Sequence, residues 1–270
     1  MNTTAITHYL DRIHVPAQEG SSGLKPSLRT LRDVHTAHLL AVPFENLSIH
    51  YGQPIVLHEE ALYEKVVRRR RGGFCYELNG LFARLLQALG FQVTLLSAGV
   101  AGAGGSFSPD FDHLTLLVHH LDGADWLADV GFGDSFRLPL RVEADVEQTD
   151  ADGRLYRLLR KHAASEDQPK DDSWIMQHFS EGETTWESQY RFTLQAHALI
   201  DFTERCHYQQ TSPESHFTQK RICTLAVPTG RITLSDLRLI TTTHGTREER
   251  IIGSEEEYRD VLARRFGIVV

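Results

Sequence analysis

The sequence predicts an α+β fold in three successive parts, and three observations carry that prediction. Apolar residues recur at helical spacing through the first ninety positions. Past Gly90 the pattern changes to short alternating or β-branched runs punctuated by glycines, as a mostly antiparallel sheet or barrel requires. In the last third, strand-like runs precede a closing helix. A length of 270 residues exceeds one typical compact core, so two or three units sharing cores are expected, divided at 1–90, 91–195 and 196–270. Hydrophobic residues make up 41% and charged residues 24%, so the chain can bury a core and does not belong to the disordered class.

The helices come first. Thr7 is expected to cap a short helix carrying Tyr9, Leu10 and Ile13, with Pro16 after it. Pro26-Ser27 opens a second, with Leu28, Leu31, Val34, His35, His38 and Leu39 at helical spacing. It must end near Val42, because Pro43 disfavours helix at the residue before it. His58-Glu59-Glu60 opens a third that runs into the basic residues Arg68–Arg71, acid first and base last, as the helix dipole favours. Gly72-Gly73 breaks it. A fourth begins near Phe74–Cys75 with an apolar stripe of Leu78, Phe82, Leu85 and Leu89, and Gly90 serves as its C-cap.

Strands are expected next at Phe91–Ala98, His113–His120 and Trp126–Phe132, with a glycine-rich loop over 99–110 and Asp122-Gly123 as a hairpin turn. Further strands fall at Arg137–Val142, Leu155–Arg160 and Tyr190–Leu194, and the polar stretch 161–173 reads as a surface loop. The last third offers strands at Ile222–Val227, Arg231–Leu234, Arg238–Thr243 and Glu248–Ile252. A final helix starts near Ser254, with Ser254 and Glu257 in capping-box spacing.

Composition excludes several functions. A net charge of −8 argues against general nucleic-acid binding, which needs a basic face. No apolar run spans a bilayer and the N-terminus has no signal-peptide pattern, so no membrane association is expected and the cytoplasm is the default location. The 3 cysteines, Cys75, Cys206 and Cys223, are too sparse for a disulfide framework.

Cys75 stands apart. It follows two glycines at a helix start, where unpaired N–H groups and the dipole stabilise a thiolate. The glycines allow a sharp turn that leaves the sulfur approachable. This is the setting of a nucleophilic cysteine. A free cysteine is more often a small buried hydrophobe, and Cys206 and Cys223, lacking any such context, fit that description. Of the 15 histidines, His113 is the best placed base, since it begins a strand just after the flexible loop. His119 and His120 read as solvated turn residues, and His35 and His38 as helix-face residues. No ligand spacing supports a metal site. Asp129 interrupts an apolar strand, where an Asp is disfavoured and costly to bury without a partner, so it is the candidate to orient an imidazolium.

On these residues the chain closely resembles the arylamine N-acetyltransferases. The matching segments are YLDRI near the start, VPFENL at 42–47, RGGFCYELNGLF at 71–82, DHLTLLV at 112–118, WLADVGFG at 126–133 and SPESHFT at 212–218. The resemblance implies an N-terminal helical bundle, a central antiparallel β-barrel and a C-terminal α/β lid, around a core similar to that of papain-like and transglutaminase-type cysteine enzymes. It implies a Cys75-His113-Asp129 triad, acetyl-CoA as donor, and aromatic amines or hydrazines as acceptors in a ping-pong transfer. It places Phe44, Phe132 and Phe217 on the acceptor pocket; for Phe44 and Phe132 an ordinary core role fits equally well. Gly131 and the loop after Ser97 would admit the pantetheine arm, and Thr211 and Ser212 would contact CoA through hydroxyls. Arg71 would pair with Glu45 beneath the site, leaving the rest of the Arg68–Arg71 run as helix-end charges. A cysteine hydrolase or amidase with the same triad is the rival reading, and a longer donor such as propionyl-CoA stays open. A non-catalytic binding module is disfavoured by the intact triad.

Overall fold

The computed structural model describes residues 1–16, 24–161, 173–179 and 185–269. Five helices and one short strand come first: α1 (Thr3–Arg12), α2 (Leu28–Ala41), β1 (Phe44–Glu45), α3 (Leu47–His50), α4 (Glu59–Tyr63) and α5 (Cys75–Ala88). A π-helical turn, Glu64–Arg68, prolongs α4. The caps follow the sequence with one exception. Ser27 accepts from the Thr30 N–H at the start of α2, and Val42 ends it. At α1, however, the cap is Asn2, and Thr7 lies inside the helix with its hydroxyl donating back to the Thr3 carbonyl at 3.1 Å. An Asx side chain already sits one turn upstream, and Asn caps at least as well as Thr.

The helix α5 is central. Residues 75–83 are all buried, so this segment is enclosed all round rather than lying with one face in water. Gly90, at φ +93°, turns the chain away from its end.

An eight-stranded antiparallel sheet follows: β2 (Val93–Val100), β3 (His113–Leu121), β4 (Ala124–Ala128), β5 (Leu140–Arg141), β6 (Gln148–Thr149), β7 (Leu155–Lys161), β8 (Ser173–Phe179) and β9 (Glu187–Thr193), in the order β5-β4-β3-β2-β9-β8-β7-β6. It curls into a nearly closed barrel. The segment after β5 bonds to both ends of it, the Val142 N–H to the Asp125 carbonyl at 2.8 Å and the Asp145 N–H to the Leu158 carbonyl at 2.9 Å. Asp122 and Gly123, both at positive φ, make the two-residue turn between β3 and β4.

Three expectations need correction here. The strand expected over 126–132 stops at Ala128, because the next two N–H groups leave the ladder for side chains, Asp129 N–H for His35 and Val130 N–H for Asn79. The strand expected over 137–142 shrinks to Leu140–Arg141, since the Arg137 and Leu138 N–H groups bond to the Asp150 carboxylate instead. Gly99 and Val100, expected in a loop, extend β2 and pair with Arg191 and Tyr190. Of the polar stretch 161–173, Lys161 and Ser173 are paired strand ends and the rest lies outside the described residues.

The remainder carries α6 (Thr203–Thr211), α7 (His216–Gln219), β10 (Ile222–Val227), β11 (Gly230–Ser235), β12 (Arg238–Thr243), β13 (Thr246–Ile251) and α8 (Glu255–Phe266). Its meander forms a second sheet, β1-β10-β11-β12-β13, so β1 reaches across from the helical part to pair with β10. α8 packs on this sheet through Tyr258, Leu262 and Phe266. Its Ser254 cap accepts from the Glu257 N–H, while the Glu257 carboxylate reaches one residue further back, to the Gly253 N–H at 2.7 Å.

Candidate active site

Cys75 is the first residue of α5 and is 3% exposed. Its loop is held from below. The Glu77 carboxylate accepts the Phe74 N–H at 3.2 Å and is gripped by Lys65 Nζ at 2.7 and 2.9 Å. Arg71 meets Glu45 at 2.8 Å, and Glu45 accepts the Leu47 N–H at 2.6 Å. All four charged side chains are buried. The basic run thus divides, with Arg68, Arg69 and Arg70 exposed and Arg71 inside.

His113 opens β3 and pairs with Ala98 across the ladder. Leu116 faces Ala128, so extending that register would set Asp129 opposite Thr115, on the same face as His113 and diagonal to it. The His113 Nε2 indeed lies 2.6 Å from Asp129 Oδ2, both residues being almost fully buried. The other ring nitrogen is left for the Cys75 thiol, whose ionisation the neighbouring His113 ring and the Leu114 N–H favour. Asp129 Oδ1 accepts from Asn79 Nδ2 at 2.8 Å and from the Gly131 N–H at 2.9 Å.

The electrostatics follow from these contacts. Burial alone would raise Asp129, but the His113 cation beside it and the Asn79 and Gly131 donors hold it below its usual value. Burial would lower His113; Asp129, by charge and hydrogen bond, and Cys75 outweigh it and push it up to about 10. Burial pushes the Cys75 thiol up, and the hydrogen bonds from His113 and Leu114 pull it back.

A cavity of about 520 Å³ opens over these groups. Phe44, Phe132 and Phe217 all line it, together with Cys75, His113 and Gly131. Phe132 sets its edge on His113, ring centroids 5.1 Å apart, and Phe217 packs on Phe44 and Phe74. Gly131 is there of necessity: a Cβ would stand 2.8 Å from the Cys75 Cα and 2.8 Å from Asn79 Nδ2. Thr211 and Ser212 are not among the lining residues. The Thr211 hydroxyl donates to the His207 carbonyl at 2.7 Å, and the Ser212 hydroxyl accepts from the Glu214 N–H at 3.2 Å. Cys206 and Cys223 are buried away from the cavity lining.

Three participants escaped the sequence reading. Asn79 lies one helical turn beyond Cys75 and joins Asp129, the Leu114 carbonyl and the Val130 N–H; its i, i+4 spacing from the cysteine was the available signal. Tyr190, on β9, packs on both His113 and Phe132 at 5.1 and 5.2 Å, a contact no local pattern announces. His35, expected as a helix-face residue, is wholly buried and accepts the Asp129 N–H. Among the described residues no group of three or more His, Cys, Asp or Glu is placed to hold a metal, and no helix is long and apolar enough to cross a membrane.

Comparison with known proteins agrees with this architecture. A family model described as N-acetyltransferase matches residues 27–270. An arylamine N-acetyltransferase of Escherichia coli is 32% identical, over 99% of this chain and 90% of that protein. The solved arylamine N-acetyltransferase of Salmonella typhimurium superposes with a TM-score of 0.88 at 31% identity, covering 99% of this chain and 92% of that one. The Mycobacterium marinum enzyme, solved in complex with CoA, superposes with a TM-score of 0.83 at 31% identity, covering 97% and 92%.

Proposed function

The chain belongs to the arylamine N-acetyltransferase family, and from that premise we propose that it carries acetyl from acetyl-CoA to aromatic amines or hydrazines through a thioester on Cys75. It is an acyltransferase with acetyl-CoA as co-substrate. The observation that carries the mechanism is the His113 ring, set between the Asp129 carboxylate at 2.6 Å and the Cys75 thiol in one cavity.

The first half-reaction begins with the Cys75 proton on His113 and the thiolate facing the cavity. Asp129 stabilises the imidazolium, and the Leu114 N–H and the α5 N-terminus stabilise the sulfur charge. The thiolate attacks the acetyl carbonyl carbon and the negative oxygen forms. The Cys75 N–H, at the first helical position and without an intrachain acceptor among the described residues, is the donor proposed for it. The carbon–sulfur bond to CoA breaks, and the leaving thiolate takes the proton from His113. In the second half, the amine nitrogen attacks the acetyl-cysteine, His113 accepts its proton, and the Cys75 sulfur departs.

Phe44, Phe132 and Phe217 provide flat apolar walls suited to an aromatic acceptor. The pantetheine arm passes against Gly131. Thr211 and Ser212, next in the chain to the Glu214–Phe217 wall, reach the part of CoA beyond the cavity. A cytoplasmic setting belongs to the same reading, because a reducing compartment keeps Cys75 a thiol.

Intact-protein mass after brief exposure to acetyl-CoA without amine tests the proposal, beside Cys75→Ser. One acetyl group gained by the wild type alone, and discharged by an arylamine or arylhydrazine, is the expected result. No adduct on a Cys75 that iodoacetamide still alkylates would overturn it in favour of a hydrolase or another acyl donor.

A further inference from the structure

His35 lies in the middle of α2, wholly buried, and none of the steps above uses it. Both ring nitrogens are engaged. Nδ1 sits 2.8 Å from the Arg137 carbonyl, and Nε2 sits 3.1 Å from the Asp129 backbone nitrogen. A carbonyl can only accept and an amide N–H can only donate. The two contacts therefore require a single neutral tautomer, with the proton on Nδ1 and the lone pair of Nε2 turned to Asp129. Burial, the largest influence on the ring, keeps it neutral by lowering it to about 4. The plane is fixed as well, stacked 6° from the Phe136 ring and edge-on to Phe82.

The place of this contact matters more than its existence. β4 ends at Ala128, so the Asp129 N–H has left the sheet and would be an unsatisfied buried donor without His35. The Asp129 carboxylate stays on the face of His113, where the β3–β4 register would put it. Asn79 and Gly131 hold that carboxylate at Oδ1, and His35 holds the peptide behind it. We propose that His35 is a positioning residue of the acetyl transfer: as the Nδ1-protonated tautomer it fixes the Asp129 peptide, and through it the Asp129–His113 hydrogen bond that keeps Cys75 ionisable. The inference rests on the assignment of Cys75, His113 and Asp129 made above.

Two variants separate this role from simple core filling. Gln at this position presents an acceptor and a donor as the imidazole does, whereas Phe fills space and offers neither. His35→Phe is expected to lose kcat by about a hundredfold with little change in KM for the amine, as a small misplacement of a catalytic group does. It should also raise the pH at which iodoacetamide captures half of Cys75. His35→Gln should restore most of both. Equal damage in the two variants, or a folded His35→Phe with the wild-type alkylation profile, would overturn the proposal. Should His35→Phe fail to fold, nitrogen NMR of the wild-type histidines decides: a neutral, Nδ1-protonated His35 is expected, and an Nε2-protonated ring would sink the idea. The alkylation and NMR results need no acetyl-CoA. A chain that never forms an acetyl-cysteine would therefore fail the functional reading while leaving this one to stand or fall by itself.

Discussion

Asp129 is the residue on which most of the site's electrostatics turn. Asp129→Asn keeps the shape but removes the charge that holds His113 protonated, and the amide competes for the wrong tautomer. Turnover of an arylamine should fall ~10,000-fold, as in other triads stripped of their acid, and half-alkylation of Cys75 should require a higher pH. The same pair shapes stability. His113 is raised in the folded chain, so its contribution is complete below the unfolded histidine value of about 6.5 and disappears as pH rises through about 10. Asp129 is lowered, so its contribution is complete above the unfolded carboxylate value of about 3.9 and is lost as pH falls through its folded value. Urea midpoints of wild type and Asp129→Asn should thus differ most between roughly pH 4 and 6.5 and converge toward about pH 10. A constant difference across that range would mean that the pair carries no net ionic stabilisation.

At the scale of elements, the start of α5 depends on close approach from two directions. The loop after Asp129 comes so near that Gly131 has no room for a side chain beside Cys75 and Asn79. Gly131→Ala should cost about 1–3 kcal/mol of stability and, by moving the nucleophile, lower kcat more than it raises KM; wild-type kcat in a folded variant would show that the contact is slack. From below, β1 brings Glu45 to Arg71. Arg71→Met would leave that fully buried carboxylate with the Leu47 N–H and, as its one remaining cation, Lys65 at 3.9 Å, and should cost about 3 kcal/mol in denaturant unfolding. Adding Glu45→Gln should recover part of the loss, and no recovery would mean that Arg71 acts through packing alone. Local signals read these elements well. The Ser27 and Ser254 caps and the Asp122-Gly123 turn are short-range chemistry, and the structure keeps each of them, whereas the helix expected to run to Gly72-Gly73 stops at Arg68, with Arg70 at positive φ. Strand ends were harder, because Ala128 and Leu140 border segments whose N–H groups are claimed by side chains distant in sequence.

Across the whole molecule, the site is a meeting of parts that the chain keeps far apart. Cys75 and Asn79 come from a buried helix, His113 and Asp129 from one end of the barrel, His35 from α2, and Phe217 from the segment before the second sheet. The residue order alone determined which groups are chemically able to act: a cysteine after paired glycines at a helix start, a histidine at a strand start, an acid in an apolar run. It also determined the succession of helical, barrel and mixed regions, because periodicity and turn chemistry act over a few residues. Only the tertiary structure decided that Asp129 leaves its strand, that His35 bonds to the Asp129 N–H and Tyr190 packs on His113, and that Thr211 and Ser212 lie off the cavity. Those outcomes depend on burial and on hydrogen bonds between residues up to 102 positions apart, and burial sets the value of a polar contact. No local pattern carries that information, since a side chain's desolvation is a property of everything packed around it.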